Sequence, residues 1–306
     1  MYGDRFRDLT VVIPTLNEAE AIGKVIDEVL SVGVPRENII VVDGGSTDGT
    51  VEIARSKGVK VIFQEGKGKA DAIKTAVKYV STPFILIMDG DYTYPAHHIS
   101  DLYRKAKEGY ILVIGRRVPE PGAQSLIYRL GNWLLTKFFN LLFGTKLNDV
   151  LSGMYIVRTN VLREIEFASS GFGIESEIVA HVASTYGEVA EVPIYYRRRL
   201  GKKKLGVRHG VQILLTMIKL ALRYNPVFLI FAIGSIPLIP GLVLGGWVLY
   251  NYLFLGIKYY VKGIIAAILT ATGYASLLLS LIALYLKRVE FRLIRMLRRA
   301  LPEDRT

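Results

Sequence analysis

The stretch 84–95 reads FILIMDGDYTYP, an apolar run that ends on two aspartates, Asp89 and Asp91, one residue apart. Carboxylates at i and i+2 just past a strand leave the sheet together and can converge on one hard divalent cation. Mg²⁺ and Mn²⁺ take oxygen ligands and keep coordination positions open for substrate phosphates. A cation held this way can stabilise a departing diphosphate. Gly90, between the two, is expected to give the turn its backbone freedom. The same residues also read as a turn carrying two solvated aspartates.

Other stretches offer compatible chemistry. VVDGGSTDGT (41–50) ends a strand on Asp43 and turns through two glycines into a helix; Asp43 can accept from a base N–H of a nucleotide, or simply serve the turn. VIPTLNEAE (12–20) places Pro14 at a strand end and Glu18 at a helix start, where Glu18 can reach a ribose or base, or only favour the helix dipole. EGKGKADAIK (65–74) sets Lys67 and Lys69 among glycines before a helix, a place for phosphate or ribose, without the spacing of a Walker loop. Glu175 and Glu177 stand at a helix start, as partners for arginines or as caps. The four histidines show no metal-ligand spacing. ILIMDGDYT also fits the strand-DxDxT pattern of haloacid-dehalogenase phosphatases. That chemistry needs a further acidic pair, and no DD or GDxxxD follows Asp91.

The elements that must position these residues alternate. Strands are expected at 10–15, 38–43, 59–64, 84–89 and 110–115, with helices after them, including 48–57 capped by Ser46 or Thr47, 69–80 and 96–108. Strands this apolar imply a mostly parallel sheet covered on both faces. The loops at their carboxyl ends then line one crevice, with Arg116 and Arg117 in the fifth. Residues 188–196 alternate as a further strand; 124–143 read as a core helix or as one lying at a membrane interface.

The rest is apolar. Residues 226–256 and 264–286 carry no charge, long enough to cross a bilayer, and the short link between them makes an antiparallel hairpin. Pro237 and Pro240 are expected to kink the first span or mark its start, and Gly245 and Gly246 to pack it. Net charge is +12. It concentrates at Arg197, Arg198, Arg199, Lys202, Lys203, Lys204 and Arg208, and at Lys287, Arg288, Arg292, Arg295, Arg298 and Arg299. These clusters bracket the spans, which points to an anionic membrane surface, not nucleic acid, with both termini cytoplasmic. There is no cysteine, so disulfides and thiolate chemistry are excluded.

Taken in order, VVIPTLNE, VVDGGSTDGT, GKADAIKTA, ILIMDGDYTYP, DVLSGMYIVR, GFGIESEI and EVPIYYRRRLGKKKL with the hairpin resemble the polyprenyl-phosphate (dolichol-phosphate) mannose and glucose synthases of family 2 glycosyltransferases. The resemblance implies an α/β, GT-A type nucleotide-sugar-binding domain with a mostly parallel doubly wound sheet over 1–209. An interfacial amphipathic helix (210–225), a transmembrane hairpin (226–286) and a basic tail (287–306) would follow. It implies Pro14, Glu18, Asp43 and Asp89 at the nucleotide, where Lys69 is expected from its own place before a helix, and Asp89 and Asp91 at a Mg²⁺ or Mn²⁺. It implies Arg117, Arg129 and either Arg198 or Arg199 at the acceptor phosphate, with Asp89, Asp91 and Arg117 carrying catalysis. Where many relatives have a glutamine as further metal ligand, this chain has Thr93. The expected reaction moves one hexose, with inversion, from GDP-mannose or UDP-glucose to a dolichyl or polyprenyl phosphate. A lipid phosphate is already anionic, so it needs cations and no general base. The rivals are transfer to a glycerolipid or lipid-linked saccharide, and an inactive membrane scaffold.

Overall fold

The five expected strands form in the computed structural model: β1 (Leu9–Thr15), β2 (Ile39–Asp43), β3 (Lys60–Phe63), β4 (Phe84–Ile87) and β5 (Leu112–Pro119). Residues 5–167, 173–201 and 207–300 are described. They fall into two units, 1–220 and 221–306. In the first, the sheet has seven strands in the order β3-β2-β1-β4-β6-β5-β7, completed by β6 (Tyr155–Arg158) and β7 (Val189–Tyr196). β1, β2, β3 and β4 are mutually parallel. β6 runs antiparallel to both β4 and β5. This strand is short and follows a loop, so no run of its own marked it.

Two strand ends differ from expectation. Pro14 lies inside β1, opposite Val42, and does not terminate it. Arg116 and Arg117 lie inside β5, opposite Pro193 and Ile194, and not in a loop. The pairing with β7 extends β5 past the point where its apolar run ends.

Residues of β2 are buried without exception, as a strand covered on both faces requires. On one face Ile22, Val25, Ile26 and Val29 of α1 (Ala19–Ser31) pack with Val11 and Ile13 of β1 and with Leu102 of α4 (Ile99–Lys107). Cutting Ile22 or Ile26 back to alanine there costs about 2–5 kcal/mol. α2 spans Thr50–Ser56, shorter than expected, and its N-cap is Gly49 at φ 93°. Neither Ser46 nor Thr47 caps it; the Asp48 carboxylate accepts from the Thr50 N–H at 3.1 Å and from the Ala19 N–H at 3.0 Å, tying α2 to α1. α3 (Lys69–Val77) ends earlier than expected. A 3₁₀ turn at Ala96–His98 precedes α4.

α5 (Leu126–Phe143) is not a core helix. Only Thr136, Phe139 and Leu142 are buried, while Leu126, Ile127, Leu130, Trp133, Leu134 and Leu141 are exposed. After α6 (Thr159–Glu164) and α7 (Ile174–Thr185), α8 (Val207–Tyr224) runs across the boundary of the units.

The second unit is a helical pair, α9 (Pro226–Leu255) and α10 (Tyr260–Ala300). Both are long and apolar enough to cross a membrane. α9 continues through Pro237 and Pro240, and does not begin at them. The close approaches are at Gly234 against Ser276, Gly273 against Leu238 and Gly241 against Thr270. Gly246 faces open space instead, and Gly245 meets only Ala266 at ordinary contact distance. The basic lysines Lys202, Lys203 and Lys204 lie outside the described residues, as do the side chains of Arg208, Lys287, Arg288, Arg292, Arg295, Arg298 and Arg299.

Candidate active site

The expected carboxylates gather at the carboxyl ends of β2, β1 and β4, neighbours in the sheet. Asp43 ends β2 and is 1% exposed; its Oδ2 accepts from the N–H groups of Gly45 and Ser46, both at 2.8 Å. The Ser46 hydroxyl donates to its Oδ1. The turn therefore fixes both carboxylate oxygens of Asp43 at the end of β2. Across it, Asn17 stands at φ 52°, receives the Thr47 N–H on its side chain at 2.8 Å, and donates its own N–H to Ser46. Glu18 is the N-cap residue of α1, but its side chain makes no cap bond; it takes a hydrogen bond from Arg199.

Asp89 and Asp91 follow β4. Gly90 between them is needed for space and not for its φ: a Cβ there would stand 2.8 Å from Cγ2 of Thr15. The residue in the left-handed region is Tyr92, at φ 70°, under the Arg197 guanidinium at 3.8 Å. Gly153 presses on the other side, where a Cβ would lie 2.1 Å from Oδ2 of Asp89.

Each aspartate shares a cation with a glutamate. Lys69 Nζ is 2.6 Å from Asp89 Oδ1 and 2.6 Å from Glu175 Oε1. Arg199 donates to Asp91 Oδ2 at 3.0 Å and to Glu18. Burial works against the Lys69 charge, yet the Asp89 and Glu175 carboxylates outweigh it and hold its pKa well above the ordinary value. Asp91 goes the other way for a carboxylic acid: burial, then the neighbouring Asp89 charge, raise its pKa against the pull of Thr93 and Arg199. Two carboxylate–cation–carboxylate groups thus stand side by side, each with one excess negative charge.

That surplus fits a divalent cation. Two aspartates one residue apart supply hard oxygen donors, and Mg²⁺ commonly takes one or two carboxylates together with substrate phosphates. Among the described residues no third carboxylate or histidine joins them as a ready-made ligand set. Thr93 is used within the protein, its hydroxyl and N–H both donating to Oδ1 of Asp91.

The arginines divide. Arg117 is held bidentately by Asp149, and burial of the pair is nearly complete. Burial lowers its pKa, but Asp149 and the neighbouring tyrosines keep it well above the ordinary value. Asp149 in turn is fixed by its N–H bond to Glu191 at 2.8 Å. Arg199 binds the donor-side carboxylates, and Arg197 pairs with both oxygens of Glu28 at 2.8 Å. The segment is laid onto the aspartate loop by backbone bonds from Arg197 N–H to Thr93 O and from Leu200 N–H to Asp91 O. Arg198 is exposed, with its guanidinium against Gly122. Arg129 is exposed on α5. Among the described residues Glu175 pairs with Lys69 and with no arginine, and Glu177 is buried in α7. Asp149, Gly153 and Tyr155 gave no spacing signal, because their significance comes from sequence-distant partners.

A model of glycosyl transferase family 2 matches residues 10–166. Glycosyltransferase AglJ of Haloferax volcanii is 34% identical over 262 residues, covering 84% of this chain and 86% of that protein. Dolichyl-phosphate hexose transferase of the same organism is 35% identical over 202 residues, 65% of this chain and 87% of that one. Dolichol-phosphate mannosyltransferase of Pyrococcus furiosus is 31% identical over 217 residues, 64% and 59% of the two chains. Among solved structures, glucosyl-3-phosphoglycerate synthase from Mycobacterium tuberculosis, in complex with Mn²⁺, UDP-glucose and phosphoglyceric acid, has a TM-score of 0.59. It is 23% identical and covers 72% of this chain and 84% of that one, a likeness of fold. The crevice described above therefore lies in a GT-A-like α/β domain, and the chain belongs to glycosyl transferase family 2 as a glycosyltransferase.

Proposed function

We propose that this glycosyltransferase moves one hexose, with inversion, from a GDP- or UDP-sugar to a dolichyl or polyprenyl phosphate at the cytoplasmic face of a membrane. The observation that carries the reading is the pair of groups Asp89–Lys69–Glu175 and Asp91–Arg199–Glu18, four carboxylates that share two cations and so keep surplus negative charge. Asp43, Pro14 and Glu18 would face the nucleoside. Asp89 and Asp91 would hold Mg²⁺ or Mn²⁺, which would supply charge neutralisation for the departing nucleoside diphosphate. The chain's own task is to hold two anions together. Lys69 would steady the diphosphate. Arg117, Arg129 and Arg198 would hold the acceptor phosphate in line with the anomeric carbon, since guanidinium groups pair well with phosphate, while Arg199 stays with Asp91 and Glu18. No residue needs to remove a proton. The relatives named as acting on dolichyl or dolichol phosphate support this acceptor, and the two span-length helices suit a substrate that resides in lipid. The hairpin would place both termini in the cytoplasm.

Transfer to a hydroxyl group would call for a positioned base. The carboxylate beside Arg117, Asp149, has both oxygens held by that guanidinium. The test is product formation by detergent-solubilised protein with dolichyl phosphate, Mn²⁺ or Mg²⁺, and labelled GDP-mannose or UDP-glucose, with Asp91→Ala as control. A labelled lipid from one donor, lost in the control, is expected. Label appearing only on a glycerolipid or a lipid-linked saccharide would overturn the acceptor. Nucleotide-sugar binding with no turnover on any acceptor would leave the scaffold.

A further inference from the structure

The order of strands lays the proposed substrates out along the sheet. Asp43 ends β2 and Glu18 follows β1; Asp89 and Asp91 follow β4; Arg117 stands on β5. If the nucleoside lies over β2 and β1 and the diphosphate over β4, the sugar must continue past the diphosphate toward the acceptor. The strand between β4 and β5 is β6. Tyr155 begins that strand and lines one gap with Glu175 of α7, and Glu175 touches the same ammonium as Asp89.

This inner end of the cluster has unused polar capacity. Among the described residues Glu175 pairs with Lys69 alone. The Tyr155 hydroxyl is buried and has no hydrogen-bond partner among the described residues, although it lies in the field of Glu175, Lys69 and Asp89. A buried polar group without a partner costs about 1–3 kcal/mol and calls for an explanation. The gap that Tyr155 shares with Ser152, Glu175 and Leu112 is too narrow for a water molecule. Side-chain exposure rises from 13% at Glu175 through 20% at Lys69 to 31% at Asp89, so the cluster opens on the Asp89 side.

Resting on the proposed donor chemistry, we infer that Glu175 is a specificity-determining residue for the transferred sugar: its carboxylate, steadied by Lys69, accepts hydrogen bonds from hydroxyl groups of a neutral hexose. A carboxylate is an acceptor only, so hydroxyl donors satisfy it and another carboxylate does not. The site therefore takes the neutral hexose and rejects the corresponding hexuronate by charge repulsion. Tyr155 adds a hydroxyl behind the pair.

The test is equilibrium binding in the presence of Mn²⁺, which needs no acceptor. UDP, UDP-glucose and UDP-glucuronate, and GDP, GDP-mannose and GDP-mannuronate, are titrated into the full-length protein and into Glu175→Gln and Glu175→Leu. The wild type should bind a neutral hexose nucleotide more tightly than the bare nucleoside diphosphate, and the hexuronate nucleotide less tightly. Glu175→Leu should weaken the neutral sugar nucleotide by about tenfold or more. Affinity for the bare nucleoside diphosphate, which also reports that the variant is folded, should change less than affinity for the sugar nucleotide, because Glu175 reaches the diphosphate only through Lys69. Glu175→Gln should narrow the discrimination against the hexuronate. Equal losses for nucleotide and sugar nucleotide, or no loss for either, would overturn the inference while leaving the reaction standing. Absence of labelled lipid product from a wild type that still shows this binding pattern would sink the reaction and leave the sugar contact. Wild-type protein that binds no sugar nucleotide overturns both.

Discussion

Arg117 and Asp149 are joined by two parallel hydrogen bonds, Nε to Oδ2 and Nη2 to Oδ1, each 2.7 Å, and the Arg117 backbone N–H adds a third to Oδ2 at 3.0 Å. The side chains are 12% and 9% exposed. Asp149 thus determines where the guanidinium points. Asp149→Ala leaves a buried cation unpaired, a loss of about 3–5 kcal/mol. It should lower the denaturation midpoint sharply, and Arg117→Met added to it should recover part of that loss. A midpoint unmoved by Asp149→Ala would show that the pair contributes nothing.

Arg199 bridges Glu18 and Asp91, and without it two carboxylates face each other beside Asp89. Arg199→Ala should destabilise the metal-free protein and enlarge the gain in melting temperature on adding Mn²⁺, because a ligand that binds the folded state stabilises it. Thermal melts of both proteins with and without Mn²⁺ check this. An equal gain in both would refute the coupling.

Gly153 leaves room for the Asp89 carboxylate that a methyl group would occupy. Gly153→Ala should displace Asp89 and cut kcat/KM by about a hundredfold, since about 1 Å of misplacement can cost that much. Steady-state rates give the answer, and a variant with wild-type rates would contradict it.

His98 is a buried acceptor. Its Nε2 receives the Tyr195 N–H at 3.0 Å, and burial, with His97 next, holds its pKa below the ordinary 6.5. The depressed value means that His98 contributes stability in full above pH 6.5 and loses it as the pH falls through the folded-state value. His98→Gln should flatten the fall in melting temperature below pH 6.5. An unchanged slope would assign that limb to carboxylates such as Asp8 and Glu28, whose pKa values also lie below their ordinary ones despite burial, through Lys107 and Arg197 respectively.

The chain has no cysteine, so a pair introduced in the hairpin reports without background. A Cβ at Gly234 would meet the Ser276 Cβ. Gly234→Cys with Ser276→Cys should form a disulfide on mild oxidation. Gly246→Cys with Ser276→Cys should not, because Gly246 faces open space. Equal cross-linking of both would contradict the register.

The sequence by itself determined the parts whose causes are local. Apolar runs ending in turn residues specified β1 to β4, and uncharged stretches specified two span-length helices. The carboxylates Asp43, Asp89 and Asp91 were legible because each closes a buried strand, and side chains just past such strands emerge at one crevice. The ordered motifs pointed to the family. The tertiary structure decided what depends on distant partners. β6 exists because β4 and β5 flank it, and β5 outlasts its apolar run because β7 pairs with it through Pro119. The basic run Arg197–Arg199 looked uniform in sequence, yet the fold gives Arg197 to Glu28, Arg199 to Glu18 and Asp91, and leaves Arg198 exposed. Glu175 read as a cap or an arginine partner until α7 brought it to Lys69. A charge acts over a few ångströms in space, and spacing along the chain records those distances only within one element or across one turn.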